Sequence, residues 1–156
     1  MAEQQNQRRE HEDKFISFWV GEQEFCVDIM SVKEIRGWTE PTRIPRAPDH
    51  ICGVINLRGA ILPIIDFAAR VGMPVREPDA STVIVVTQNA DQLVGMKVDA
   101  VSDILSLSTE SMQPIPDIAS ESAKEFFKGV VTREEGMIRI VDLSRIAHVE
   151  PENLAA

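Results

Sequence analysis

Four aspartates, Asp28, Asp66, Asp99 and Asp142, stand just after or inside apolar runs, and recurring carboxylates are the first residues to weigh as general acids and bases. Their repetition argues against catalysis. A reaction needs one asymmetric constellation, whereas a repeated fold needs the same cap in each copy, so each aspartate is expected to accept backbone N–H bonds at a strand end or turn. The three histidines, His11, His50 and His148, are scattered, and none has a metal-ligating partner at close spacing. Cys26 and Cys52 lie in or beside apolar runs without an adjacent base, which reads as two buried thiols in a reducing compartment, neither nucleophiles nor a disulfide. Tyrosine is absent, and there is no C-x-x-C, H-E-x-x-H, phosphate-binding loop or dinucleotide fingerprint. The expectation is a protein with no catalytic residue, metal or cofactor.

Side chains suited to gripping another protein concentrate in the first half. Arg36 and Trp38 enter a proline-rich stretch, and Arg58 sits in the segment Asn56-Leu57-Arg58-Gly59 between two apolar runs. Arg and Trp combine apolar area with hydrogen-bond donors, which makes them frequent interface anchors. The alternative for Trp38 is that it roofs the core, and for Arg58 that it pairs with a nearby carboxylate.

The elements that would position these residues are short strands. Phe15 to Val20 and Phe25 to Ile29 flank a turn at Gly21 to Glu24, a first hairpin. Val32 to Ile35 fits a helical turn or a strand equally. Pro41, Pro45 and Pro48 make residues 39–49 an extended surface connection. Residues 51–67 form a second hairpin with its tip within Asn56-Leu57-Arg58-Gly59, and Pro63 requires an unpaired position on the returning strand. Further hairpins are expected over 83–98 and 129–143, a strand over 104–107, and helical turns near 68–71, 123–128 and the end.

The second half echoes the first. At an offset of 76, Gly53 meets Gly129, Val54 meets Val130, Ile64 meets Ile140 and Asp66 meets Asp142; at an offset of 71, Val27-Asp28 meets Val98-Asp99. Two small β units that bury a shared apolar face would relieve the marginal stability of each alone. The chain is therefore expected to be all-β: two five-stranded β barrels packed side by side through an internal duplication, with short helical segments. Residues 1–14 and 151–156 read as tails, and 15–150 as one domain of two interleaved lobes.

A formal net charge of −9 excludes a phosphate-binding face and an anionic membrane surface as partners, and no apolar run approaches membrane-spanning length. With no signal-like start, the cytoplasm is the expected compartment.

An ordered set of motifs resembles the CheW family of bacterial chemotaxis coupling proteins: Val27 to Trp38 (VDIMSVKEIRGW), Thr42 to Pro45, Gly53 to Asp66 (GVINLRGAILPIID), Val94 to Asp99, and Gly129-Val130 with Ile140 to Leu143. The resemblance covers Phe15 to Ile146. It implies two SH3-like barrels, no catalytic activity, and a role joining the cytoplasmic tips of methyl-accepting chemoreceptors to the regulatory domain of the histidine kinase CheA. It also implies recruitment to membrane-associated receptor arrays. A groove between the lobes would take the receptor tip, with Val32, Glu34, Gly53, Arg58 and Gly59 at the matching positions, and Arg36, Trp38 and Asn56 as additional interface. Related modules occur within CheA and CheV, but this chain leaves no room for a kinase or receiver domain. The alternative is a scaffold of the same kind in another chemosensory-type pathway, such as surface motility or second-messenger control.

Overall fold

A computed structural model describes residues 12–116 and 121–149. Its ten strands are β1 (Glu12–Val20), β2 (Gln23–Asp28), β3 (Val32–Gly37), β4 (Ile51–Leu57), β5 (Ala60–Asp66), β6 (Val83–Asn89), β7 (Gln92–Val98), β8 (Ala100–Ser108), β9 (Phe127–Arg133) and β10 (Gly136–Val141). Three short helices, α1 (Phe67–Val71), α2 (Glu121–Phe126) and α3 (Leu143–Ile146), fill the connections. Strand β1 starts at Glu12, ahead of the expected Phe15, because its ladder with β8 runs from Glu12 opposite Ser108. The expectations for residues 1–11, including His11, and for 151–156 lie outside the described residues.

The strands form two five-stranded barrels that exchange parts. Barrel A has the order β8-β1-β2-β10-β9, and barrel B the order β3-β6-β7-β5-β4. Each barrel thus takes a hairpin from one half of the sequence and three strands from the other. In both, the last strand joins the hairpin in parallel, Ile140 opposite Cys26 in A and Ile64 opposite Gly95 in B.

These registers confirm one sequence offset and correct the other. Ile51 and Gly53 of β4 face Ile65 and Ile64, while Phe127 and Gly129 of β9 face Val141 and Ile140, so the offset of 76 holds down to a matching β-bulge. In the hairpins, however, Phe18 faces Phe25 and Thr87 faces Val94, which sets the offset at 69. The Val-Asp dipeptides that suggested 71 are therefore not equivalent. A slip of two residues leaves every side chain on the same face of a strand, so the apolar pattern cannot distinguish the two alignments.

Three apolar clusters follow from the alternation of strand faces. Phe15, Cys26, Val131, Ile138 and Ile140 fill barrel A, and Leu57, Leu62, Ile64, Ile84 and Val86 fill barrel B. The largest lies between the barrels, where Phe18, Phe25, Phe67, Val85 and Met96 meet. Phe67 is its centre, its ring 5.1 Å from that of Phe18 and 4.8 Å from that of Phe25. Strands such as β6 are buried on both faces, which is why they read as continuous apolar runs.

Loops protect two exposed strand edges in matching ways. Thr42 exchanges two 2.9 Å backbone bonds with Val54 of β4, and Gln113 exchanges two 2.8 Å bonds with Val130 of β9. The proline-rich connection is thus tied to the sheet, not merely laid over the surface. Because Val54 turns its N–H and C=O toward Thr42, its β5 partner Pro63 points its nitrogen away from β4. On that side the ladder with β7 begins only at Ile64, so the missing donor removes no bond.

Candidate protein-interaction site

The residues singled out on the first half converge on barrel B, where its two edge strands meet. Val32 opens β3 and packs against the inter-barrel core. A β-bulge follows Val32, so Glu34 and Arg36, opposite Val86 and Ile84 of β6, are half-buried on the other face of β3, the barrel B side. From the β4–β5 turn, Arg58 Nη2 donates to Glu34 Oε1 at 3.1 Å, while Arg36 Nη1 stands 3.7 Å from the same oxygen. One carboxylate therefore holds two guanidiniums across the seam of the barrel. Glu34, Arg36 and Arg58 together carry one net positive charge, and Glu40 lines a groove beside them.

The turn itself is unusual. Arg58 (φ +50°) and Gly59 (φ +88°) are the two central residues between the paired Leu57 and Ala60, and both have positive φ. A two-residue hairpin favours Asn, Asp or Gly at such positions, and an arginine there costs on the order of 1–2 kcal/mol. Asn56 Oδ1 offsets part of that cost by accepting the Gly59 N–H at 2.8 Å. The Arg58 side chain is 73% exposed. Arg36, Thr42, Val54, Asn56 and Ile61 line a shallow groove beside this turn, and Ile61 is 73% exposed.

Two other predicted residues have structural work. Gly53 (φ +143°) is buried beneath the bridging loop, and a Cβ there would come within 2.2 Å of the Thr42 carbonyl oxygen. Trp38 is half-buried against the interior of barrel B, with the Lys97 ammonium 5.5 Å from the centre of its ring.

The aspartates act mainly as caps. Asp28 accepts the Met30 N–H, Asp66 the Ala69 N–H at the start of α1, and Asp142 the Ser144 N–H at the start of α3. Asp99 instead reaches across to the Gly21 N–H at 2.7 Å. Sequence reading missed the second role of Asp66, a buried ion pair with Lys97 at 3.2 Å. A lysine in the apolar run of β7 was the available signal, since a buried lysine needs a partner.

Burial pushes the Cys26 thiol up to about 12, assisted by the charge of Glu24, and the Cys52 thiol up to about 11, assisted by Asp66. Neither thiol suits nucleophilic chemistry. Among the described residues no group of three His, Cys, Asp or Glu could hold a metal ion, and no helix is long and apolar enough to cross a membrane.

A strand-exchanged pair of small five-stranded barrels defines a class of fold, the twin β barrel. The model of the CheW-like domain matches residues 14–150. The chain is 51% identical over 142 residues to the chemotaxis protein CheW of Rhizobium meliloti (strain 1021), covering 91% of this chain and 92% of that one. It is 39% identical over 137 residues to the chemotaxis protein CheW of Klebsiella aerogenes, covering 88% and 82%. The crystal structure of the scaffolding protein TtCheW from Thermoanaerobacter tengcongensis superposes with a TM-score of 0.80 at 31% identity, covering 89% of this chain and 90% of that one. The chain belongs to the CheW family of chemotaxis scaffold proteins.

Proposed function

We propose that this chain is a non-catalytic cytoplasmic adaptor that couples the cytoplasmic tips of methyl-accepting chemoreceptors to the regulatory domain of the histidine kinase CheA, within receptor arrays. The observation that carries the reading is Arg58: an exposed guanidinium held by Glu34 on a turn where a smaller residue would be less strained. Backbone strain of this kind is retained where a side chain must be presented, and an arginine so fixed loses little freedom on binding. Glu34, Gly59 and Asn56 set its position, Val32 and Gly53 anchor the strands beneath it, and Arg36 and Trp38 extend the surface. Binding two partners at separate patches raises the effective concentration of kinase at the receptor. Signal transfer then requires that one receptor state contact the adaptor better than the other, because equal affinity shifts nothing.

The test is kinase activation in reconstituted receptor membranes with the parent chain and with Arg58→Ala. Loss of an anchoring arginine should lower apparent affinity about thirtyfold, the scale of an interface hot spot of about 2 kcal/mol. Equal activation at every adaptor concentration would exclude Arg58 from the coupling surface.

A further inference from the structure

The internal duplication makes barrel B a template for barrel A. At the mouth of barrel B, Lys97 Nζ donates to Asp66 Oδ2 at 3.2 Å and to the Arg76 carbonyl at 2.8 Å, beneath the Trp38 ring. An ammonium group thus stands at that mouth, on the wall of a cavity of about 750 Å³. Barrel A has no cation at the matching strand position. Phe15 faces Asp28 in the register where Ile84 faces Lys97, so an aspartate occupies the position of the lysine. By the same offset, Leu107 stands where barrel B has Trp38.

A cavity of about 220 Å³ opens at this place in barrel A, walled by Phe15, Leu107, Met112 and Ile140, with Asp13 and Asp28 also lining it. Neither carboxylate takes part in an ion pair among the described residues. Lys128 lines the same cavity and is likewise in no ion pair, which leaves two negative charges against one positive. The space falls below the roughly 300 Å³ at which small-molecule sites begin, but suits one long side chain.

We propose that the mouth of barrel A receives a single lysine side chain from a partner protein, its ammonium on Asp28 and its methylenes against Phe15, Leu107 and Ile140. The inserted lysine reproduces from outside what Lys97 supplies from inside barrel B. A lysine fits both requirements at once, because its stem is apolar and its head is charged. A purely aliphatic side chain would bring no cation to Asp28, which accepts the Met30 N–H but is in no ion pair among the described residues.

Methyl-detected NMR of the full chain, titrated with the blocked tripeptide Gly-Lys-Gly and with its norleucine counterpart, tests this. The lysine peptide should shift the Leu107, Met112 and Ile140 methyls saturably, with the norleucine peptide binding at least tenfold more weakly. Asp28→Asn, which keeps a side-chain oxygen to cap Met30, should abolish the difference between the peptides. Leu107→Trp, which copies the barrel B roof, should block both while leaving the carboxylates in place. Equal binding of the two peptides, lysine binding unchanged in Asp28→Asn, or no methyl shifts at tens of millimolar peptide would each overturn the proposal.

Discussion

Replacing Gly53 by alanine tests how the bridging loop and the barrel are joined. The added Cβ would lie 2.2 Å from the Thr42 carbonyl oxygen and 2.7 Å from its carbon, and the backbone sits at φ +143°. Backbone is the obstacle, so no side-chain rotation relieves the clash. The loop must lift, and the two 2.9 Å bonds between Thr42 and Val54 go with it. At about 1 kcal/mol for each lost bond and about 1–3 kcal/mol for an L-residue in this conformation, the cost is about 3–5 kcal/mol. For a domain of this size that lowers the melting temperature by about 6–20 °C. Gly129→Ala should fall below it, at about 2–3 kcal/mol, since its Cβ meets the Gln113 carbonyl oxygen at 2.6 Å but its φ is ordinary. Gly59→Ala meets nothing within 4 Å and carries only the cost of φ +88°, about 1–2 kcal/mol. Urea denaturation followed by tryptophan fluorescence resolves the series. The reasoning is wrong if Gly53→Ala lies within about 1 kcal/mol of the parent, or if Gly59→Ala costs as much.

Two further perturbations probe the buried polar groups. Lys97→Met strands Asp66 and should cost about 3–5 kcal/mol, while the double variant with Asp66→Asn, which still caps α1, should recover most of that loss; additive effects in the double-mutant cycle would show that the two residues do not act as a pair. Because burial raises both thiols above their ordinary value of 9.0, to about 12 and about 11, the stability they contribute is complete below pH 9 and lost as pH rises toward 11–12. Cys26 is buried but Cys52 is only half-buried, so at pH 8 a thiol-specific disulfide reagent should label Cys52 first and Cys26 only on unfolding; rapid labelling of Cys26 in the native chain would refute its burial.

Much of the fold was legible because its signals are local. Gly72, in a left-handed conformation at φ +83°, ends α1 where a helical turn before that glycine was expected, and the Arg58-Gly59 tip falls between matched apolar runs. The duplication was legible too, through Gly53 and Gly129, whose Cβ positions are filled by the two bridging loops. Long-range pairing was not. Interleaved lobes were expected, but nothing local tells β3 to leave the β1–β2 hairpin and pair with β6, so which strands are exchanged had to come from the structure. Val32 to Ile35 was ambiguous for the same reason, since its partner strand lies some fifty residues away, with Glu34 opposite Val86. Of the candidate interaction site, residue types pointed to Arg58 and Trp38. The sharing of Glu34 between Arg36 and Arg58, and the ammonium beneath Trp38, depend on elements remote in sequence.

The central claim is that one small scaffold holds a receptor and a kinase together through different patches. Co-sedimentation of the isolated CheA regulatory domain with receptor-bearing membranes measures this directly. The domain should pellet only when the parent chain is added, and Arg58→Ala should stay in the supernatant with the domain still bound to it. A domain that pellets equally without the chain, or a chain that binds neither partner, would contradict the account.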